Sequence, residues 1–597
     1  MCGIAALFSY GDAPCPDREE LLRIRDRMAL RGPDGAGEWT SPDHRVALGH
    51  RRLAIIDLSE AGAQPMQNED GSLVIVFNGE IYNYRELRDR LIAKGVRFRS
   101  ASDTEVLLHL YAEEGEGMLG SLRGMYAFAI WDARKKGLFL ARDPFGIKPL
   151  YYADDGKSLR AASQVKALLA GGNVDMSPEP AGHVGFFLWG SIPEPYTLYK
   201  GIRALRPGTS LWVDTLGRKE PKTFCSISDE IAHPRDEGRG FDPVRVRSRL
   251  RELLLASVRD HLIADVPVGV FLSSGLDSTT LTALVSEIAP GSLNTITLGF
   301  REYRGTENDE TPLAEQVAKH YGATHRTIWV EQSDFLAGLP ALLDAMDQPT
   351  TDGVNSYFVS YAAVRAGLKV ALSGLGGDEI FGGYPSFRQV PRMAAMLRPF
   401  RGIPFLGKAF RAVSAPLLRS LTSPKYAGLL EYGGSCGGAY LLRRGMYMPW
   451  ELPELMEGEM VREGWSELQT LSRLEDTVRG VADGYRKVSA LETCWYMRNQ
   501  LLRDTDWASM AHSLEIRVPL VDIYLFRGIV SMLGQGNSPT KRDMAATPAK
   551  SLPAAVHLRT KTGFSVPVRD WIIEQDDASV ERGLRGWAKR VYRCFSP

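Results

Sequence analysis

Residues 3 to about 165 alternate short apolar runs with turn residues, which is the pattern that β-strands give. Glycine, proline and aspartate separate the runs, which read GIAALF, RVALGHRRLAIID, LVIVFNGEIYN, MYAFAIWDA and GLFLARD. Two segments of helical periodicity interrupt them, YRELRDRLIAKG and DTEVLLHLYAEEG, and Asp103 opens the second as a candidate N-cap. The pattern predicts a layered α+β domain.

The periodicity changes twice further along the chain. From about residue 175 to 245, proline, glycine and charge are frequent, as in a connector with a few short strands. Beyond it, helical segments and apolar strands alternate as VRVRSRLRELLLASVRDHL, VPVGVFL, STTLTALVSEI, TITLGF, LAEQVAKHYG and HRTIWV, which predicts a parallel α/β sheet. From about residue 390 helical periodicity dominates. We predict a first domain over residues 2–210, a linker over 211–245 and a second domain over 246–597.

Charge and composition narrow the classes of function. Lysine plus arginine equals aspartate plus glutamate, 72 each, so no global basic field favours nucleic acid or an anionic membrane, and small-molecule substrates are expected. No uninterrupted apolar stretch approaches the roughly 18 residues that cross a bilayer, and the short N-terminal run lacks a basic flank, so we expect no signal peptide. The six cysteines are scattered without a C-x-x-C pair, which fits a cytoplasmic location.

Cys2 directly follows the initiator methionine, so removal of Met1 would leave a thiol and a free α-amine on one residue. An α-amine with a pKa of about 8 is a suitable base for activating the thiol. A cysteine at the second position is by itself more often an accident of composition. Its companions decide between the two interpretations.

Six motifs occur in order, and together they resemble the glutamine amidotransferases that use an N-terminal nucleophile. They are Cys2-Gly3-Ile4, Arg31-Gly32-Pro33-Asp34, Gly49-His50-Arg51-Arg52-Leu53, Gly62-Ala63-Gln64-Pro65, Phe77-Asn78-Gly79-Glu80-Ile81-Tyr82-Asn83 and Ser102-Asp103-Thr104-Glu105. The resemblance implies that Cys2 hydrolyses glutamine to glutamate and ammonia.

The same resemblance assigns the residues around the nucleophile. Asn78 and the backbone amide of Gly79 would form the oxyanion hole, where preorganised donors stabilise a tetrahedral intermediate. Arg52 and Asp103 would bind the α-carboxylate and α-ammonium groups of glutamine, and Glu80 would share the ammonium. Standing alone, Arg52 and Asp103 would be interpreted as a surface ion pair or a helix cap. Arg51 is an adjacent competitor, and we choose Arg52 because it precedes the leucine of the family's R-L pair.

A polar turn between strand VPVGVFL and the following helix is the second candidate site. It reads Ser273-Ser274-Gly275-Leu276-Asp277-Ser278, and a helix N-terminus with hydroxyl and amide donors favours a phosphate, while Asp277 can hold Mg²⁺ against it. Serine and aspartate are also ordinary helix caps, so the turn alone is weak evidence. No G-x-x-x-x-G-K-[ST] motif is present, so γ-phosphate transfer of the P-loop type is not supported.

The turn resembles the pyrophosphate loop of ATP pyrophosphatases, which make acyl adenylates. The later segments of that family follow, as Ser373-Gly374-Leu375-Gly376-Gly377-Asp378-Glu379, Phe381-Gly382-Gly383-Tyr384, Ser509-Met510-Ala511-His512-Ser513-Leu514-Glu515, Arg517-Val518-Pro519 and Arg559-Thr560-Lys561-Thr562-Gly563-Phe564. Together with the first domain, these segments resemble the glutamine-hydrolysing asparagine synthetase family.

The resemblance implies ATP and Mg²⁺ as cofactors, with the metal and pyrophosphate at Asp277 and Asp378 and with Lys561 as a catalytic contact to the phosphates. The ATP-binding residues would be Leu272, Ser273, Ser274, Gly275, Asp277, Ser278, Leu298, Ser373 and Gly374. The implied fold is a sandwich of two sheets with flanking helices, joined to a parallel-sheet α/β domain with additional C-terminal helices. A homodimer and an internal ammonia tunnel are further family-like expectations.

Two positions depart from the family pattern. Ser274 stands where a glycine is usual, which is a mild change. Leu375 stands where the family commonly carries a glutamate that is credited with accepting a proton from the incoming ammonia, and a leucine cannot titrate. Either another group, such as Glu379, takes that role, or the acceptor pocket differs.

Three hypotheses follow from these motifs. The first is glutamine-dependent asparagine synthesis through β-aspartyl-AMP. The second keeps both half-reactions and amidates another carboxylate, on a sugar, peptide or secondary metabolite, and Leu375 is its motive. The third is a non-catalytic binding or regulatory relative, which the intact Cys2, Asn78, Asp277, Asp378 and Lys561 disfavour.

Two further motifs carry no function. Gly433-Gly434-Ser435-Cys436-Gly437 matches the G-x-S-x-G nucleophile elbow, but the text before it reads as a helix ending in a glycine turn instead of a strand. No H-E-x-x-H or other tight histidine cluster suggests a zinc site.

Overall fold

The computed structural model describes residues 2–234, 243–401, 403–421, 423–533, 538–559, 567, 571 and 583–595. Strands dominate its first 223 residues, as the alternating pattern predicts. They are β1 (Gly3–Ser9), β2 (Gly35–Thr40), β3 (Val46–Arg52), β4 (Met66–Gln67), β5 (Leu73–Ile81), β6 (Gly124–Asp132), β7 (Gly137–Arg142), β8 (Tyr151–Asp154), β9 (Ser158–Ala162), β10 (Arg203–Ala204), β11 (Thr209–Asp214), β12 (Gly217–Arg218) and β13 (Lys222–Thr223).

These strands form two antiparallel sheets, ordered β10-β8-β9-β1-β3-β2 and β12-β11-β7-β6-β5-β4, with β13 beside β11. The sheets pack face to face, since Phe8 and Leu48 of the first share one buried cluster with Val76 and Leu140 of the second. The helices of this part are α1 (Arg18–Arg27), α2 (Tyr84–Ala93), α3 (Asp103–Glu114), α4 (Val165–Gly171), α5 (Pro180–Trp189) and α6 (Ile227–Ala232). Helices α1 and α4 cover the outer face of the first sheet, and α2 and α3 that of the second.

The second part is built on a five-stranded sheet ordered β16-β15-β14-β17-β18, with every pairing parallel. Its strands are β14 (Val268–Phe271), β15 (Asn294–Phe300), β16 (Thr324–Val330), β17 (Val370–Leu372) and β18 (Glu515–Arg517). The chain runs outward from β14 to β16, then returns to β17 on the other side. The edge between β14 and β17 is therefore a topological switch point, where α/β folds bind ligands.

Helices surround this sheet, as the periodicity beyond residue 245 predicts. They are α7 (Pro243–His261), α8 (Leu276–Ile288), α9 (Thr311–His320), α10 (Gln332–Ala345), α11 (Val354–Arg365), α12 (Gly377–Ile380), α13 (Ser386–Leu397), α14 (Pro404–Leu421), α15 (Leu429–Tyr432), α16 (Cys436–Arg444), α17 (Gly458–Leu468), α18 (Thr470–Thr477), α19 (Gly484–Leu491), a π-helical stretch (Glu492–Leu502), α20 (Arg503–Met510), α21 (Ile523–Met532), α22 (Lys541–Ala545), α23 (Ala554–Leu558) and α24 (Arg585–Arg593). Short 3₁₀ turns lie at Ala29–Arg31, Glu60–Gly62, Gly115–Gly120, Arg301–Tyr303, Arg398–Phe400, Pro424–Gly428 and Pro449–Glu454.

The predicted fold class, an α+β sandwich joined to a parallel α/β domain, is confirmed. The segment predicted as a linker is in part sheet, since β11 to β13 pair with the second sheet. A connector with a few short strands is expected there from the sequence, and β11 to β13 are short strands in that stretch. The exact domain boundaries stay a prediction.

Helix α5 belongs to the core of the second part, although it precedes the predicted boundary. Phe186 and Phe187 are buried against Tyr592 of α24. Helix α5 also packs closely on α17, since a Cβ on Gly464 would lie 2.3 Å from the carbonyl oxygen of Pro180. The two parts therefore interlock instead of meeting at a simple surface.

The described residues bear on two further expectations from the sequence, the lack of a membrane span and the lack of a nucleophile elbow. Within the described ranges, no helix is long and apolar enough to cross a membrane. The G-x-S-x-G stretch follows helix α15, and Ser435 caps helix α16 by accepting from the backbone N–H of Gly438. It is a helix cap and not a nucleophile elbow.

Candidate active sites

Cys2 lies at the start of β1, buried, and Asn78 of β5 holds its backbone. The Cys2 N–H donates to Asn78 Oδ1 at 2.9 Å. The Nδ2 of Asn78 is buried and has no hydrogen-bond partner among the residues that the structure describes. Because buried donors are nearly always satisfied, an unfilled amide beside a thiol is what a site awaiting an oxyanion would present.

Gly79 follows Asn78 where the backbone of β6 comes very close. A Cβ at this position would lie 2.1 Å from the carbonyl oxygen of Met125 and 2.7 Å from Tyr126 Cα. Only glycine fits this approach. The second predicted oxyanion donor is thus fixed by packing against the neighbouring strand.

The thiol of Cys2 is neutral in its resting environment. Burial raises its pKa, while the nearby guanidinium of Arg52 acts in the opposite direction. A buried neutral thiol needs a base at the moment of attack.

Arg51 and Arg52 diverge because consecutive side chains of a strand point to opposite faces. Arg51 turns to α1 and pairs with Asp26 at 2.6 Å. Arg52 turns to the loop after β3, where it donates to the backbone carbonyls of Ser59, at 2.8 Å, and Asp57. The charge of Arg52 acts to lower the pKa of the Cys2 thiol against the larger effect of burial, and the choice of Arg52 as the glutamine-binding arginine stays a prediction.

Asp103 and Glu80 are both buried, but their partners differ. Asp103 accepts from the Ile81 N–H at 2.9 Å, and burial raises its pKa to about 6. Glu80 pairs with Arg517 of β18 at 3.3 Å, and burial together with the charge of Glu515 raises its pKa well above the usual range. Glu80 therefore already has a cationic partner from the second part, which the sequence did not indicate.

A second buried contact joins the two parts directly at the nucleophile. Arg31 donates through Nε to the carbonyl oxygen of Cys2 at 3.1 Å and forms a double hydrogen bond with Asp506 of α20, at 2.7 and 3.1 Å. Both charged side chains are 2% exposed. Asp504 and Thr505, the two residues before Asp506, line the cavity of the second site. One turn of helix thus touches both sites.

That cavity, of about 470 Å³, opens at the switch point of the parallel sheet. All nine predicted ATP-binding residues line it, namely Leu272, Ser273, Ser274, Gly275, Asp277, Ser278, Leu298, Ser373 and Gly374. Ser273 and Ser278 close the turn through hydroxyl groups 2.8 Å apart. The structure therefore brings together residues that are about a hundred positions apart in the chain.

Asp277 and Asp378, the predicted metal ligands, share one cation in this structure. The ammonium of Lys541 lies 2.5 Å from Asp277 Oδ2 and also pairs with Asp378. Burial would lower the pKa of Lys541, but the two carboxylates raise it above its usual value. Gly383 packs on the same group, since a Cβ there would lie 2.6 Å from Lys541 Cε.

Two carboxylates placed to share a cation suit Mg²⁺, which commonly takes one or two protein carboxylates and completes its shell with phosphates and water. No group of three or more potential metal ligands occurs in the described part of the chain. The sequence did not single out Lys541, which opens α22 after the capping residue Thr540 and matches no motif. The predicted catalytic Lys561 lies outside the described residues.

Leu375 lines the cavity, and acids lie nearby in other positions. Tyr384, a lining residue, donates its hydroxyl to buried Glu379 at 2.7 Å, and burial raises the pKa of Glu379 to about 7. Asp352 and Asp504 also line the cavity, and burial followed by the charge of Asp352 raises the pKa of Asp504 to about 7. Glu379 is thus connected to the cavity through a tyrosine.

The chain is similar to known protein families and to known proteins along most of its length. Residues 1–224 match the family described as "Glutamine amidotransferase domain", and residues 249–591 match "Asparagine synthase". Asparagine synthetase [glutamine-hydrolyzing] 1 of Bacillus subtilis is 32% identical over 96% of this chain and 88% of its own length. Asparagine synthetase [glutamine-hydrolyzing] 3 of the same organism is 30% identical over 87% and 79%.

Other similar proteins carry different names. An amidase of Gibberella zeae is 33% identical over 65% of this chain and 60% of its own length. Among solved structures, the glutamine phosphoribosylpyrophosphate amidotransferase of B. subtilis covers 55% of this chain and 65% of its own, with 18% identity and a TM-score of 0.29.

Replacement of Asn78 by alanine is expected to lower the turnover of glutamine hydrolysis roughly 100- to 1,000-fold, because one oxyanion donor is lost. The KM for glutamine should change little, since the donor acts mainly on the intermediate. Glutamate release by the purified protein measures both quantities. Asn173→Ala, in an exposed loop, is the matched control. An Asn78→Ala variant with wild-type turnover would exclude the role.

Replacement of Asp506 by asparagine leaves Arg31 charged and buried without its partner, so we expect a loss of about 3–5 kcal/mol in the free energy of unfolding. Thermal denaturation measures the loss. Asp344→Asn is the control, since Asp344 pairs with Arg27 at the surface at 2.9 Å and such pairs contribute only about 0–1 kcal/mol. Equal stability of the two variants would contradict the structural importance of the buried pair.

Proposed function

The chain belongs to the glutamine-hydrolysing asparagine synthetase family, and from that membership we propose that it amidates a carboxylate with nitrogen taken from glutamine. As a member of that family, it is an ATP-dependent glutamine amidotransferase ligase. The observation that carries the proposal is the continuity of the two sites, since α20 contributes Asp504 and Thr505 to one and Asp506 to the other.

The glutaminase step would begin when the Cys2 thiol attacks the carboxamide carbon of glutamine. The free α-amine left by removal of Met1 would accept the thiol proton and pass it to the leaving ammonia. Asn78 Nδ2 and the Gly79 N–H would stabilise the tetrahedral oxyanion. Water would then hydrolyse the thioester to release glutamate. Arg52 and Asp103 are suited to bind the α-carboxylate and α-ammonium of the substrate.

The synthetase step would take place in the cavity at the switch point. A carboxylate oxygen of the acceptor would attack the α-phosphorus of ATP and displace pyrophosphate, giving an acyl adenylate. The loop of Ser273 to Ser278, with the N-terminus of α8 behind it, is suited to bind phosphates. Lys541 would neutralise the charge that develops on pyrophosphate, and Lys561 is proposed to assist. Asp277 and Asp378 would hold Mg²⁺, which supplies positive charge to the phosphates.

Ammonia would attack the carbonyl carbon of the adenylate, forming the amide and releasing AMP. We propose the side chain of aspartate as the first candidate acceptor, which would make asparagine the product. The support for this choice is the 32% identity to an asparagine synthetase across nearly the whole chain.

A second candidate keeps both half-reactions and changes the acceptor. Leu375 replaces the acid that the family usually places beside the adenylate, and the wall near it carries Asp352, Asp504 and the hydroxyl groups of Tyr384 and Tyr496. Such a wall favours an acceptor with hydroxyl or ammonium groups, such as a sugar or an amino-functional metabolite. The proton of the attacking ammonia would then pass to the Tyr384–Glu379 pair, whose carboxyl group has a pKa of about 7.

The acceptor can be decided by supplying glutamine, ATP and Mg²⁺ with and without aspartate, and following glutamate, AMP, pyrophosphate and asparagine by mass spectrometry. Aspartate-dependent asparagine with equimolar AMP is expected for the first candidate. Glutamate without asparagine would leave the Cys2 reaction intact and exclude aspartate. In that case Leu375→Glu tests whether the missing acid alone explains the difference, since asparagine should then appear.

Lys541→Ala is expected to lower ATP-dependent pyrophosphate release roughly 100-fold, because a cation at developing negative charge is removed. Glutamine hydrolysis at Cys2 should be unchanged in the absence of ATP. Lys550→Ala is the control, since this lysine contacts the carbonyl oxygen of His320 outside the cavity. Undiminished pyrophosphate release by Lys541→Ala would show that Lys541 serves only the structure.

A further inference from the structure

One stretch of the second part has a charge unlike the rest of the molecule. We call residues 386–430 the basic segment. It holds α13, the following 3₁₀ turn, α14 and the residues after α14 as far as the first two of α15. The whole chain is balanced at 72 basic and 72 acidic residues, yet the basic segment has eight lysines and arginines and no aspartate or glutamate. The bases are Arg388, Arg392, Arg398, Arg401, Lys408, Arg411, Arg419 and Lys425. Neutrality of the whole chain therefore conceals a local positive field.

The same segment concentrates exposed apolar side chains. Of the twenty exposed large hydrophobic residues among the described ones, eight lie between positions 396 and 417. Phe405 is 82% exposed and Val413 83%, with Met396, Ile403 and Phe410 beside them in sequence. Single exposed apolar residues are ordinary, but a contiguous group marks an interaction surface.

The contacts of α14 show which of its faces packs against the rest of the protein and which face is exposed. Gly407 lies against α15, since a Cβ there would be 2.8 Å from Glu431 Cα. One turn later, Arg411 pairs with Glu431 at 2.8 Å and stacks on the ring of Trp450. With 3.6 residues per turn, Phe410 and Val413 lie away from the fastened side. The helix is attached along one side and presents phenylalanine and valine on the other.

Charge decides among the partners that could cover this face. A helix with aromatic and aliphatic residues on one side and lysine and arginine around them is the pattern of segments that lie in the interface plane of a bilayer. A second copy of the chain, docked by the usual two-fold interface, would place the same positive charges against each other. Exposed Arg392, Arg401 and Lys408 instead complement the negative surface of a membrane rich in anionic lipids.

We propose that the basic segment is a docking surface for an anionic phospholipid bilayer, on which the protein lies without crossing it. The absence of a spanning helix in the described ranges agrees with surface attachment. This inference goes beyond the proposed function and reverses the expectation of no membrane partner, which rested on the balanced net charge and on the missing bilayer-spanning apolar stretch.

The position of the surface gives it a consequence for the reaction. Helix α13 begins two residues after Tyr384, which lines the cavity of the synthetase site. The basic segment therefore continues directly from the wall of that cavity, which connects binding at the bilayer with the synthetase site through the chain.

The test is sedimentation of the full chain with phosphatidylcholine vesicles that do or do not contain phosphatidylglycerol. Binding is expected only with phosphatidylglycerol and should be lost at high salt, because the attraction is screened. The double variant Phe405→Asp, Val413→Asp should bind at least about tenfold more weakly. Leu216→Asp, which alters an 85% exposed residue of the first part, is the matched control and should bind like the wild type.

Charge is tested separately by Arg401→Glu with Lys408→Glu, which keeps the apolar residues and should also abolish binding. Glutamate release without vesicles must stay at the wild-type rate in every variant, which shows that the fold is intact. No sedimentation with anionic vesicles at low salt would overturn the proposal. So would a dimeric wild type that the Phe405 and Val413 changes convert to monomer, since the face would then join two copies.

Discussion

The ion pair between Arg31 and Asp506 is the interaction on which the arrangement of the two sites depends. It is buried, doubly hydrogen-bonded and attached at one end to the carbonyl oxygen of the nucleophile. A buried pair is not retained for stability alone, because apolar residues of the same size often do as well. The pair also fixes the position of α20 relative to Cys2, since α20 cannot shift along its axis without moving Cys2. The strand β18 repeats the device, with Arg517 reaching Glu80 and Ile516 reaching the cavity.

The acidic groups of the second site are of two kinds, those paired with a lysine and those with raised pKa values. Lys541 bridges the carboxylates of Asp277 and Asp378 where the phosphate loop ends. Two buried acids have raised pKa values: Asp504 lines the cavity, and Glu379 is joined to it through Tyr384. A buried carboxyl group with a pKa of about 7 is partly ionised near pH 7, and its ionised form accepts a proton readily because burial favours the neutral form. The carboxylates of Asp277 and Asp378 are instead paired with Lys541. The loss of the usual glutamate at Leu375 therefore does not remove acid chemistry from the cavity.

The sequence predicted the fold class and the cavity-lining residues because both are written in local patterns. Strand periodicity, the serine turn before α8 and the glycine-rich stretch after β17 each specify their own neighbourhood. Lys541, Asp506 and the pairing of Glu80 with Arg517 could not be predicted, since each joins segments that are hundreds of residues apart and no local pattern marks it. Arg51 and Arg52 show the intermediate case. Strand alternation separates the two side chains, but only the structure shows that Arg51 pairs with Asp26 and that Arg52 donates to the carbonyl oxygen of Ser59.

The burial of α5 in the core of the second part bears on how such enzymes can be recombined. Phe186 and Phe187 are contributed by the chain of the first part but are packed by the helices of the second. A fragment that begins after residue 210 has an apolar groove beside α17, and one that ends at 210 carries an unpacked apolar helix. The two catalytic units therefore cannot be exchanged independently between relatives. A crossover before α5 keeps this helix with its C-terminal partners but separates β10 and β11 from the strands β8 and β7 of the first part, and a crossover after β13 does the reverse.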